Sequence, residues 1–110
     1  MSLNTIKKSS DFQKIYKNGG KVVTKFFVLH FLKQECCAQT LRIGFTVSKK
    51  LGKAVERNYI KRKLKSAAQE LLPLYGKAGY SYIITGRVNA SDSDFKDLKK
   101  DLIFALNKVA

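Results

Sequence analysis

The sequence predicts an α+β domain, a small mixed sheet packed with helices in the order helix, strands, helix, strand, helix. Three observations carry this. Leu41, Ile43, Phe45 and Val47 alternate with Arg42, Gly44, Thr46 and Ser48, the period of a strand with one buried face. Phe95, Leu98, Leu102, Leu106 and Val109 recur at spacings of three and four, the period of a helix with one apolar stripe. The 110 residues contain no internal repeat, no low-complexity tract and no linker-like run of Pro, Gly and Ser, so residues 1–110 are expected to form a single domain.

The elements follow in order. Ser10 and Gln13 have capping-box spacing, Phe12 and Tyr16 lie one turn apart, and Asn18-Gly19-Gly20 supplies a stop, so the spacing predicts a helix over Ser10–Lys17. Val22–Leu32, rich in Val and Phe, predicts one strand with an irregular start, and Leu41–Ser48 predicts the second. Lys53–Leu72 has helical character and should be closed by Pro73, which disfavours helical geometry at the residue before it. Tyr80–Thr85, between Gly79 and Gly86, predicts a further strand. The last helix begins at Phe95 behind the capping candidates Ser91 and Ser93.

Charge narrows the function. Twenty-two Lys and Arg against eight Asp and Glu leave a formal net charge of +14, and that much self-repulsion calls for a polyanion whose counterions the cations can displace. A membrane partner is not expected, because the longest apolar stretch, Phe26–Leu32, is short and interrupted by His30. Met1–Ser10 has lysines but no apolar core segment, so it does not read as a secretion signal and a cytoplasmic location is expected. Cys36 and Cys37 are adjacent, a spacing that neither staples a fold nor builds a metal site, and they read as reduced thiols.

Between Lys49 and Lys65 stand eight basic residues (Lys49, Lys50, Lys53, Arg57, Lys61, Arg62, Lys63, Lys65) and one acid, Glu56, so half the excess charge lies in seventeen residues. On a helix, Arg57, Lys61, Lys65, Asn58 and Arg62 fall within an arc of roughly 140°, beside an apolar edge of Ile60, Leu64, Ala67 and Leu71. A merely solvated helix interleaves Glu with Lys. Here like charges stand at Arg57, Lys61 and Lys65, where they repel, and the missing counter-charge points to phosphates. Phe12, Tyr16, His30, Thr46 and Ser48 are candidates for an adjoining groove in which bases stack or are read at their edges.

No residue is expected to be catalytic. His30 is the sole histidine, and its place in an apolar strand suits a groove-lining residue. A nuclease needs paired acid/base groups or a carboxylate cluster for metal ions. Four of the eight acids, Asp92, Asp94, Asp97 and Asp101, instead lie at or near the start of the last helix, where capping and the helix dipole account for several. No metal site is expected on the protein.

The run Ile43-Gly-Phe-Thr-Val-Ser-Lys-Lys50, followed by Gly52-Lys-Ala-Val-Glu-Arg-Asn58 and Ile60-Lys-Arg62, resembles the signature of the bacterial ribonuclease P protein subunit. Ser10-Asp-Phe-Gln-Lys14, Lys17-Asn-Gly19, Phe27-Val-Leu29 and the closing helix from Phe95 extend the resemblance over nearly the whole chain. It implies a fold related to the second domain of ribosomal protein S5, with a left-handed strand-helix-strand crossover. It implies further that the protein is a monomer when isolated and pairs 1:1 with the catalytic RNA, supporting endonucleolytic removal of the 5′ leader from precursor transfer RNA. Magnesium (Mg2+) in such a holoenzyme is held mainly by RNA, with no cofactor on the protein alone.

The resemblance also distributes roles. Lys49, Lys50, Lys53, Arg57, Asn58, Lys61, Arg62 and Lys65 would bind the catalytic RNA. Phe12, Tyr16, Val28, His30 and Thr46 would line the cleft for the single-stranded leader. Tyr59 stands where the family commonly has arginine after the Arg-Asn pair, His30 where it often has tyrosine, and Lys65 where arginine is frequent, losing a bidentate phosphate fork. The alternative class is a ribosomal or RNA-assembly protein that binds structured RNA with no enzymatic role.

Overall fold

The computed structural model describes residues 2–6, 9–33, 40–47, 53–76, 79–87 and 94–109. The chain runs β1 (Ser2–Thr5), α1 (Ser9–Asn18), β2 (Gly20–Val23), β3 (Phe27–Lys33), β4 (Thr40–Val47), α2 (Ala54–Tyr75), β5 (Tyr80–Gly86) and α3 (Phe95–Lys108). The strands form one five-stranded sheet in the order β1-β4-β5-β3-β2. β4 is parallel to β1 and to β5, whereas β3 is antiparallel to β5 and to β2, so the sheet is mixed, as predicted.

Register sorts the side chains into two faces. Pairing sets Gly44 opposite Ile83 and Ile83 opposite His30, and sets Thr46 opposite Thr85 and Thr85 opposite Val28. These residues share one face. The intervening Ile43, Phe45, Tyr82, Ile84, Phe27 and Leu29 point to the other.

That second face is sealed by two helices. α2 connects the adjacent parallel strands β4 and β5, and it lays Ile60, Leu64, Ala67, Ala68, Leu71 and Leu72 into a cluster with Ile43, Tyr82 and Ile84. Of the stripe predicted for α3, Leu98, Leu102 and Leu106 are buried, as is Val109 just beyond its end, while Phe95 is only partly buried; Ala105 joins them. Ala67, Ala68 and Ala105 are almost wholly buried, and such small side chains let packed helices approach closely. Each large aliphatic side chain buried here contributes about 1.5–3 kcal/mol. Gly86 makes room for α2, since a Cβ there would lie 2.9 Å from Cγ2 of Ile60.

Among the described residues the first face carries only α1, which docks through Ile15 onto Ile83, with Ile6 beside them and Phe12 and Leu32 packed around. Gly19 ends that helix under tight constraint: its N–H donates to the Ile15 carbonyl at 2.9 Å, and a Cβ would collide with the carbonyl oxygen of Phe31.

Several boundaries differ from the sequence expectations. Val22–Leu32 is a hairpin of two strands, turning through Thr24-Lys25-Phe26. Thr24 makes the turn: its hydroxyl donates to the Phe27 carbonyl at 2.8 Å and accepts from the Phe27 N–H at 3.1 Å. β1 was not anticipated. α1 begins at Ser9, so Ser10 sits inside the first turn instead of capping it. Pro73 does not close α2, which continues to Tyr75 because Leu71 and Leu72 are anchored in the core, and the Gly76 N–H reaches the Leu72 carbonyl at 2.8 Å. Asp94 caps α3, its carboxylate accepting from the Lys96 N–H. Ser91 and Ser93, like Cys36, Cys37 and Ser48, lie outside the described residues.

Candidate nucleic-acid interface

α2 presents the cationic arc to solvent. With Ile60 and Leu64 pinned to the sheet, Lys53, Asn58, Lys61, Arg62 and Lys65 stand exposed along the rest of the helix and its N-terminal approach. Among the described residues, none of Arg57, Lys61, Arg62 and Lys65 forms an ion pair; the carboxylate of Glu70 is taken by Lys99 of α3, at 3.1 Å. The repulsion along this flank is therefore uncompensated within the described protein, and the surface is suited to a row of phosphates.

Arg57 departs from the expectation of a fully solvent-facing side chain. It is half-buried, and its Nε is buried with no hydrogen-bond partner. Burying one donor of a guanidinium without a partner is costly, so among the described residues this side chain keeps one N–H still to be satisfied. Lys49 and Lys50 lie outside the described residues.

The five residues expected to line a cleft do converge on the face that α1 leaves partly open. Phe12 projects from α1 over Gly44 of β4; a Cβ at Gly44 would lie 2.8 Å from the tip of the Phe12 ring. Tyr16, one turn later, is 6.4 Å from Phe12 between ring centroids, and it meets the His30 ring edge-on at 4.6 Å and 83°. One residue pair along the sheet, Val28 and Thr46 flank Thr85 from opposite strands, and the Thr46 hydroxyl donates to the Thr85 hydroxyl at 3.0 Å.

The result is a row of rings beside a patch of methyls and hydroxyls. Tyr16 is the most open of them, 44% exposed, while Phe12, Val28, His30 and Thr46 are half-buried. Phe12 serves the core as well as the cleft, since it also packs against the cluster of Ile6, Ile15 and Ile83. Partial burial, reinforced by the ammonium of cross-strand Lys21, holds the His30 pKa below the ordinary histidine value of 6.5. The imidazole is therefore neutral at pH 7, able to stack and to offer one donor and one acceptor.

Sequence patterns did not identify Thr85, Lys21 or Gly44 as parts of this surface. Each enters by cross-strand register, and strand pairing is the signal that would have found them. Among the described residues no group of three His, Cys, Asp or Glu is placed to hold a metal ion, and His30 meets the Tyr16 ring and lies between Lys21 and Ile83 of the neighbouring strands. No helix among the described residues is long and apolar enough to cross a membrane.

Comparison with known proteins yields a consistent picture. The family model described as Ribonuclease P matches residues 2–110. The ribonuclease P protein component of Listeria innocua is 44% identical over 101 residues, covering 92% of this chain and 83% of the relative. The one from Clostridioides difficile is 38% identical over 97 residues, covering 88% and 83%. The solved structure of the Staphylococcus aureus RNase P protein superposes with a TM-score of 0.80 at 34% identity, covering 94% of this chain and 92% of that one.

Proposed function

The chain belongs to the ribonuclease P protein family, and we propose from the placement of its two surfaces how it does that family's work. As a member it is the protein subunit of an endoribonuclease that matures the 5′ ends of transfer RNAs, and it associates with the ribonuclease P RNA. The reading as a ribosomal or assembly protein without an enzymatic role is not favoured.

The observation that carries the proposal is the solvent-facing arc of α2, whose Arg57, Asn58, Lys61, Arg62 and Lys65 lack carboxylate partners among the described residues. This arc, with Lys53 and with Lys49 and Lys50 ahead of it, seats on the backbone of the catalytic RNA. Arg57, half-buried with its Nε covered, offers the rest of its guanidinium to one phosphate. The open sheet face takes the single-stranded 5′ leader of the precursor: Tyr16 and His30 offer ring faces and edges to bases, Phe12 backs Tyr16, and Thr46 and Val28 floor the path.

In this division of labour the protein positions and the RNA cleaves. The magnesium ions of the phosphodiester hydrolysis are held by RNA, because a chain of net charge +14 repels cations and attracts the polyanion that binds them. One protein joins one RNA, and the complex works in the cytoplasm. The test is reconstitution: with a cognate catalytic RNA at low magnesium, added protein should restore cleavage of precursor transfer RNA at the leader junction. Absence of any gain over RNA alone, or cleavage by protein freed of RNA, would remove the proposal.

A further inference from the structure

A second aromatic feature lies on the opposite side of α2 from Arg57. Tyr59 leaves the helix with 45% of its surface exposed, and among the described residues its ring packs on no other ring. Facing it is Phe95, the first residue of α3. Between them opens a groove of about 610 Å³ lined by Tyr59, Arg62, Lys63, Ser66 and Phe95, within the range of about 300–1,000 Å³ typical of small-molecule sites.

A lysine stands over each ring. Lys63 Nζ sits 5.5 Å from the centroid of the Tyr59 ring, and Lys99 Nζ sits 5.1 Å from that of Phe95. Lys99 is itself clamped to both carboxylate oxygens of Glu70, at 3.1 and 3.3 Å, which ties the head of α3 to α2. Glu70 thereby spends its charge on Lys99, and among the described residues the lining of the groove contains two cations and no acid. A site with aromatic walls and cationic margins is complementary to a planar ring that carries a phosphate.

Continuity with the basic arc identifies the occupant. At about 100° per residue, Arg62 closes the arc of Arg57, Lys61, Lys65 and Asn58, and Ser66, Tyr59 and Lys63 follow it around the helix. A phosphate chain laid along the arc arrives at the groove through Arg62.

We propose that the Tyr59–Phe95 groove takes one unpaired nucleobase of the catalytic RNA, stacked on Tyr59, with the adjoining phosphate on Arg62. This rests on the reading that α2 seats on that RNA. It makes Tyr59 a contact through ring stacking, beside the charge contacts of the arc.

The experiment measures affinity of the catalytic RNA for the full chain over a range of salt, comparing wild type with Tyr59→Ala, Tyr59→Phe and Arg57→Ala. Tyr59→Ala should weaken binding about 5- to 100-fold with the salt dependence unchanged, and Tyr59→Phe should stay within about twofold of wild type. Arg57→Ala should weaken binding and lower the salt slope by about one. If Arg57→Ala weakens assembly while Tyr59→Ala does not, the stacking site is wrong and the α2 reading stands; if neither does, both fail. Equal loss in Tyr59→Ala and Tyr59→Phe also overturns stacking, because the hydroxyl would then be the contact. Tyr59 is exposed, so unchanged thermal unfolding of its variants verifies the fold.

Discussion

The two faces of the sheet are made from similar material and put to opposite uses. One face, with Ile43, Phe27, Leu29, Tyr82 and Ile84, lies under α2 and α3 and is almost wholly removed from water. The other, with Val28, His30, Thr46 and Thr85, is covered among the described residues only where α1 reaches, and these four side chains are half-buried. The polar residues at alternate positions of β4 and β3 make the difference: Thr46 and His30 stand where bulky apolar residues would have added to the core, while Gly44 lets Phe12 of α1 close in only at one end. The proposed leader surface is thus a core left unfinished by a few side chains.

The sharpest way to break the contrast is to cut into the sealed face. Leu102→Ala, at a site 1% exposed, should cost about 2–5 kcal/mol in denaturant unfolding; a loss no greater than that of an exposed-site variant would mean the two faces are packed alike. Gly44→Ala attacks the open face at its tightest point. The new methyl would meet the Phe12 ring, so stability should fall by about 1–3 kcal/mol and leader-bearing substrate should bind less well. Unchanged binding would place the leader elsewhere.

Phe12→Ala asks whether the open face is used. Its holoenzyme should lose about 1–3 kcal/mol of affinity for leader-bearing precursor and none for a substrate with no leader. Equal loss with both would assign Phe12 to packing alone.

The smallest expected effect is electrostatic. Because the folded imidazole of His30 holds its proton less firmly than the unfolded one, the unfolded chain binds more protons as pH falls through 6.5. Stability from this group is therefore present above that pH and declines below it, until the folded form is protonated too. His30→Phe should flatten the decline, as read from unfolding midpoints between pH 5 and 8. A profile identical to wild type would show that the burial of His30 has no energetic consequence.

The contrast between the faces was partly legible in the sequence. Strict alternation along Leu41–Val47 announced a two-sided strand, and the stripe from Leu98 to Leu106 announced the helix that seals one side. The hairpin at Thr24 was hidden, because a threonine hydroxyl makes that turn where sequence rules look for Gly, Pro or Asn. β1 was hidden by brevity: four residues paired with a single neighbour do not display a period. Pro73 misled because the burial of Leu71 and Leu72 outweighs the local preference at the residue before a proline. Within the site, the cationic arc followed from helical spacing alone, whereas Lys21, Thr85 and the Tyr59–Phe95 groove depend on which elements become neighbours.

The sheet order has one more consequence. Both of its rims, β1 and β2, are only four residues long, so a stray β-segment finds few free backbone groups to pair with, and on β2 it meets the exposed Lys21. A molecule that carries a large positive charge until RNA neutralises it is thus also a poor template for strand addition, and complex formation, which cancels the repulsion between copies, does not uncover a long rim along which they could join.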